Sequence, residues 1–388
     1  MVKKRRLART EPRFLERGGV LRPSGPFHEQ SPSGAAFEAN TFLFEYSLVS
    51  KSRRQQGLFF TAYVPVPSML PRPLLTTTFG LSYRKIPILA IGKDVYCDTS
   101  LIIEALEHFF PPSDGWGTIY PPSSIPGWNY RGYARGFASF WTDRPFFRTT
   151  TGLIPPSVWA SPFGTDRAQL IGHTLDPAKL AAKVPQNLGA FETHLSLLEP
   201  TLKDSSKWLM PTEAPSLADI SVYYQLKWGM DIARGKGVYN LTGGNVGEDG
   251  EDIAQVVFNE ERYPGVWAWF NRFEAYISSL PDLQTEITSA DTRWKEDIRR
   301  MEGEASLGLV PTPAGPNKEL DGRRGLVEGV LVSVVPDDTG KGNPTVGTLM
   351  HVGVEEISIK PEEKGEVHVV VHFPRVGFVI KGMEGSRL

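Results

Sequence analysis

Lys85-Ile86-Pro87-Ile88-Leu89-Ala90-Ile91-Gly92-Lys93-Asp94-Val95-Tyr96-Cys97-Asp98-Thr99-Ser100-Leu101-Ile102-Ile103 is the stretch on which the fold turns. Ile86 to Ile91 is a short apolar run with proline near its start, where a missing N–H is tolerated, so it reads as a strand. Gly92-Lys93-Asp94 makes a tight turn into Val95-Tyr96-Cys97, and the two runs read as a hairpin. Asp98 and Thr99 are residue types that cap helix N-termini. Leu101, Ile102, Ala105, Leu106 and Phe109 then give one apolar stripe at helical spacing, which Pro111 and Pro112 end.

Upstream, Thr41 to Tyr46 is a short aromatic-rich strand signal, Ser50 to Phe60 can form a helix, and Thr61 to Val64 is a second strand. Pro65, Pro67, Pro71 and Pro73 mark a loop. The resulting order, β-α-β-(loop or helix)-β-β-α, is thioredoxin-like. Residues 1–40 are rich in Arg, Gly, Pro and Ser without apolar period, and a disordered basic tail is expected. No apolar stretch follows their basic cluster, so no secretory leader is expected.

Downstream, residues 113–127 read as a Pro/Gly/Ser-rich linker and 128–300 as helical with interruptions. Pro215-Ser216-Leu217-Ala218-Asp219 has the Ser-x-x-Asp form of a capping box. Leu217, Ile220, Tyr224 and Trp228 line one face of the helix it opens, and Val266, Phe270, Phe273 and Ile277 line a later one. After a linker from Gly308 to Gly325 come five strand signals: Val327 to Val335, Thr345 to Val352, Glu355 to Lys360, Glu366 to Phe373 and Val376 to Lys381.

The chain has 388 residues, a net charge of -2 and 40% hydrophobic content, enough for a sizeable core. That charge balance argues against nucleic acid or an anionic membrane as a partner. Its single cysteine, Cys97, excludes an intramolecular disulfide and any four-cysteine zinc site. No apolar run approaches the roughly 20 residues of a membrane-spanning helix.

The Lys85–Ile103 stretch resembles the glutathione transferase signature, and Pro215-Ser216-Leu217-Ala218-Asp219 is similar to the capping box of that superfamily's helical domain. The resemblance covers residues from about 41 to 285. It implies an α+β multidomain fold: a thioredoxin-like glutathione-binding domain (41–112), an all-α acceptor-site domain (128–300) and, outside the usual layout, a small antiparallel β domain (326–388). The last is similar to an extension of some fungal transferase-like proteins. The implied co-substrate is glutathione. The Ile86 main chain, before a cis Pro87, would pair with its cysteinyl unit like an added strand. Asp98 and Thr99, at a helix N-terminus, would hold its γ-glutamyl ammonium and carboxylate. The other substrate would be an apolar electrophile against Trp128, Tyr130, Phe137, Phe140 and Trp141. A non-catalytic binding or assembly module is the competing reading, and the resemblance to transferases implies a homodimer.

Catalysis in this family needs a hydroxyl or thiol just after the first strand, to lower the thiol pKa of glutathione. Here the segment reads Tyr46-Ser47-Leu48-Val49-Ser50-Lys51-Ser52, without the usual Ser-Pro or Cys-Pro pair. Ser50 is the candidate, with Ser47 and Tyr46 as alternates; Ser50 as a plain N-cap competes with it. Cys97 reads as a small core residue. His368 and His372 fall on one face of a strand and read as surface histidines; with only His351 near as a third ligand, no metal site is expected. Ser386-Arg387-Leu388 resembles a C-terminal peroxisomal address, so a peroxisomal or cytoplasmic location is expected.

Overall fold

The computed structural model describes residues 66–67, 69–204, 207–244, 246–247, 252–280 and 293–383. The hairpin forms where the sequence places it. Strands β1 (Ile88–Ile91) and β2 (Asp94–Cys97) pair antiparallel, closed by Ile91 opposite Asp94. Gly92 takes a left-handed φ of 61°, which glycine adopts at no steric cost. Before the hairpin, the proline-rich segment resolves as helix α1 (Pro73–Phe79), with proline at N1 and Gly80 ending it at φ 66°. After the hairpin comes α2 (Thr99–Phe109), whose apolar stripe packs into the main core.

The helical part is built around a long rod, α3, made of Arg131–Gly136, a π-helical stretch Phe137–Phe146 and Phe147–Thr151. Pro145 lies inside the π-helical stretch, where it has no N–H to give to the ladder. Against it pack α4 (Val184–Asp204) and α5 (Leu217–Ala233), and α6 (Pro264–Ser279) packs in turn on α4 and α5. The capping box expected at Ser216 is present. Asp219 Oδ2 accepts from the Ser216 N–H (3.0 Å) and the Ser216 hydroxyl (2.8 Å). Its Oδ1 accepts from the Leu209 N–H (2.7 Å) and the Trp269 indole (2.9 Å). One buried carboxylate thus ties together α5, α6 and the loop between α4 and α5. The Tyr223 and Phe273 rings stack at 4.2 Å beside it.

The C-terminal strands are β3 (Leu331–Pro336), β4 (Thr345–Val352), β5 (Glu356–Pro361), β6 (Val370–Pro374) and β7 (Phe378–Gly382). They pair antiparallel with one another, as expected. The first starts later than its apolar run implied: Val327 is exposed and Gly329, at φ 90°, turns the chain ahead of Leu331. These strands also continue the hairpin's own sheet. Strand β2 pairs in parallel with β6 through Asp94↔Val370, Val95↔Val371 and Tyr96↔His372. Among the described residues the order is β1-β2-β6-β5-β4-β3-β7.

This placement explains why Asp94-Val95-Tyr96-Cys97 lacks polar alternation. A strand inside a sheet with both faces covered is buried throughout, and all four residues are. Side chains alternate across it. Val95 and Cys97 join the core of the C-terminal strands, with Val371, Ile359 and Val332. Tyr96 faces the helical core. No helix among the described residues is long and apolar enough to cross a membrane.

Candidate functional site

Asp98 stands between β2 and α2, with a conformation set by both. The chain must leave a buried strand and start a helix in one residue. Asp98 does so at φ 74°, ψ 133°, as the one non-glycine residue with positive φ among those described. Its Oδ1 accepts from the Ser100 N–H (3.0 Å) and the Ser100 hydroxyl (2.6 Å), and its carbonyl starts the helix by accepting from Ile102 N–H. Such a conformation costs an L-residue about 1–3 kcal/mol and concentrates at ligand-holding positions. Thr99, the first residue of α2, is partly exposed at a helix end with unpaired N–H groups.

The Ile86–Pro87 peptide is cis, as the signature leads one to expect. The Ile86 side chain is buried against Leu75, with Ile88 and Val66 beside it, so it anchors the segment and does not itself face a groove. Among the described residues, neither its N–H nor its C=O makes a main-chain hydrogen bond. Those groups are therefore available to an extended ligand in the way an open strand edge is.

Charged groups from distant segments gather on the same side. The Lys85 ammonium bridges both oxygens of Asp338 (2.6 and 2.8 Å), on the turn between β3 and β4. Burial opposes ionisation of Asp338, but Lys85 outweighs it and holds the carboxyl below its ordinary range. Next to Asp338, Asp337 pairs with Arg144 of α3 (3.2 Å). Asp143 is crowded by protein and faces the negative charges of Asp98 and Asp338, against Lys85 and Arg144; together these push it up to about 7. Its side chain keeps open solvent, which screens these charges. Sequence reading missed Lys85, Asp143 and Asp338, because each is an ordinary surface charge in its own segment.

The proposed aromatic wall is divided. Tyr130 is core and donates to the Pro121 carbonyl, whereas Phe140 is 58% exposed. Trp128, Phe137 and Trp141 are partly buried, and the Trp141 indole donates to His194 Nδ1 (2.7 Å). Cys97 is fully buried and its thiol is pushed well up, by burial first and Asp98 second, which makes it a poor nucleophile. His372 corrects the sequence reading. It is wholly buried between Asp94 and Glu356 and is no surface histidine, while His368 is exposed. The fold pairs strands where the sequence suggested only a turn-separated array, and this buries it. Among the described residues no cluster of His, Cys, Asp and Glu has metal-binding geometry. Ser50, Ser47 and Tyr46 lie outside the described residues.

Comparison with solved structures agrees with the fold. A GST-like protein from Pseudomonas syringae superposes with a TM-score of 0.55 at 23% identity, covering 88% of this chain and 96% of its own. A glutathione S-transferase from Rhodospirillum rubrum (16% identity, 61% of this chain, 77% of its own) and a human glutathione S-transferase (14%, 59% and 73%) both superpose at a TM-score of 0.31, too low to add to it. Residues 150–240 match a family model described as a domain of unknown function, DUF7962. No curated protein matches the chain significantly. The chain shares its fold with the GST-like protein from Pseudomonas syringae.

Proposed function

We propose that the chain binds glutathione at Ile86, Pro87, Asp98 and Thr99 and delivers its thiolate to an apolar electrophile. The observation that carries this reading is Asp98. A carboxylate held at positive φ over a helix N-terminus presents an acceptor for an ammonium beside N–H donors for a carboxylate. A γ-glutamyl end offers both groups together. The unbonded main chain of Ile86 supports a strand-like pairing with the rest of the tripeptide. Ser50, or Ser47 or Tyr46 in its place, would donate to the sulfur and favour its thiolate. Residues 41–112 would hold glutathione and 128–300 would hold the electrophile near Phe140 and Trp141. A homodimer related by a two-fold axis belongs to the same proposal. The peroxisomal address read at Ser386-Arg387-Leu388 lies outside the described residues; an import assay on the tagged chain decides between peroxisome and cytoplasm.

One feature favours the second reading, a glutathione-binding module without catalysis: segment 46–54 lacks a Ser-Pro or Cys-Pro pair. Retention on immobilised glutathione, followed by turnover of a chloro-dinitro-aromatic substrate, tests both. Retention with turnover supports the enzyme, retention without turnover supports the module, and no retention overturns both.

A further inference from the structure

At the junction of β2, β5 and β6 sits a closed ionic cluster. His372, on β6, is 0% exposed, and Asp94 on β2 and Glu356 on β5 are each 1% exposed. The ring's Nε2 lies 2.8 Å from Asp94 Oδ1 and its Nδ1 lies 2.5 Å from Glu356 Oε1. Each ring nitrogen thus meets an acceptor-only carboxylate. A neutral imidazole has one N–H and would face one carboxylate with a lone pair, so the geometry fits the doubly protonated ring. The remaining carboxylate oxygens are satisfied by a single segment of chain. The Leu307 N–H (3.1 Å) donates to Asp94 Oδ2 and the Val310 N–H (2.8 Å) to Glu356 Oε2, while the Ser306 hydroxyl adds a bond to Asp94 Oδ1, the oxygen that faces the ring. The Tyr96 ring stacks on the imidazole at 4.4 Å, and Ser358 of β5 is its register partner. The charged groups that face His372 are those two carboxylates, one from each flanking strand.

We propose that His372 is a pH-operated latch: its imidazolium docks the C-terminal strands and segment 306–310 onto β2, the strand that runs directly into Asp98. Three observations carry this. The β2–β6 pairing spans three residue pairs, and His372 is in the last of them. The same two carboxylates hold the 306–310 segment, so the ring's charge controls both attachments. And β2 ends one residue before Asp98, so disorder in β2 reaches the proposed glutathione site with no further element between.

The direction follows from the charges. Burial opposes protonation of His372, but its bonds to Asp94 and Glu356 outweigh burial and raise its pKa. Its contribution is therefore complete below the ordinary histidine range, about 6.5, and is lost as pH rises through the raised value. Burial likewise opposes ionisation of Asp94, and bonds from His372, Ser306 and Leu307 overcome it and hold its pKa low. That contribution is complete above the ordinary aspartate range and is lost as pH falls through the lowered value. The latch is closed between the two and opens on the alkaline side when the ring loses its proton, leaving two carboxylates without a cation in a dry site.

The test is amide hydrogen exchange on the full chain from neutral pH upward, expressed as protection relative to the unfolded chain, with the His372 ring followed by NMR. Protection at Val95, Tyr96 and Val371 is expected to fall ~10-fold or more as the ring titrates, while α5 keeps its own. In His372→Gln protection should be low and independent of pH. Unchanged protection through the ring's titration, or the same fall in His372→Gln, overturns the latch. Should that variant not fold, Glu356→Gln removes one charge and keeps an acceptor, and should move the midpoint of the fall to lower pH; an unmoved midpoint also overturns it. The consequence for glutathione rests on the proposed function and is read separately by calorimetry: affinity should fall over the same pH range. Glutathione that binds at no pH counts against the proposed function alone. Binding that ignores an observed loss of protection overturns the coupling.

Discussion

Replacing Asp98 separates a residue that holds a ligand from one that only caps a helix. Two variants are needed, Asp98→Gly and Asp98→Ala. Asp98 sits at φ 74°, a conformation that costs an L-residue about 1–3 kcal/mol and glycine almost nothing. Glycine loses the cap from the side chain to Ser100, a few tenths of a kcal/mol at such a position. It also frees the unfolded chain, about 0.5–1 kcal/mol. The terms nearly cancel or leave a gain, so Asp98→Gly should be as stable as wild type or up to about 2 kcal/mol more stable. Alanine keeps the unfavourable φ and loses the cap, so Asp98→Ala should lose about 1 kcal/mol. Glutathione binding should not follow stability. Both variants lack the carboxylate that, in the proposed site, would meet the ammonium through a charge-assisted bond of about 1.5–3 kcal/mol, or roughly 10- to 150-fold in Kd. Denaturant unfolding and calorimetry read the two quantities. Glutathione bound with wild-type affinity by Asp98→Gly would refute the site, and a stability loss of about 2 kcal/mol or more in that variant would refute the strain assigned to Asp98.

Three further outcomes are expected. Asp219→Ala leaves the buried Leu209 N–H, Trp269 indole and Ser216 N–H without their acceptor, at about 1–3 kcal/mol each and less than additively; thermal and denaturant unfolding should show a loss of about 4 kcal/mol, and a loss below about 1 kcal/mol refutes the role given to this carboxylate. Ser50→Ala should lower kcat about 10-fold, a loss of about 1.4 kcal/mol of transition-state stabilisation, whereas an unchanged rate moves the role to Ser47 or Tyr46. Cys97, buried and raised in pKa, should react with a thiol reagent only after denaturation, and reaction in the native protein would contradict its burial.

What the sequence revealed was local. The hairpin needs only two apolar runs and a glycine turn, and the capping box needs only Ser216 and Asp219 three residues apart. Asp98 and Thr99 were legible as a helix start for the same reason. The positive φ of Asp98 was not, because aspartate caps helices readily without it. Hidden altogether was the join between Tyr96 and His372. A parallel pairing carries no turn signal, and its partners lie hundreds of residues apart in sequence. His372 accordingly looked like half of a surface pair, since histidine at strand spacing carries no mark of burial until its neighbours are known. The charges around Asp98 stayed hidden likewise: Lys85 and Asp338 meet only because a turn of the C-terminal sheet folds back on the hairpin.

The topology also shows where the five C-terminal strands join the hairpin. The added strands join β2, while Ile86 and Pro87 precede β1, the terminal strand of the described sheet. Growth therefore occurs on the side of the hairpin away from the main chain that glutathione would pair with. The cost falls on β2, which is buried on both faces with an acidic residue at its start. A carboxylate there needs compensation, and Asp94 obtains it from His372 and segment 306–310, both within or leading into the added strands. Removing the C-terminal strands would strip Asp94 of these donors and expose Val95 and Cys97. The prediction for a chain ending before Ser306 is loss of the hairpin's protection and not merely of an appendage. A truncated chain with native exchange at Val95 and Tyr96 would show that the hairpin stands without them.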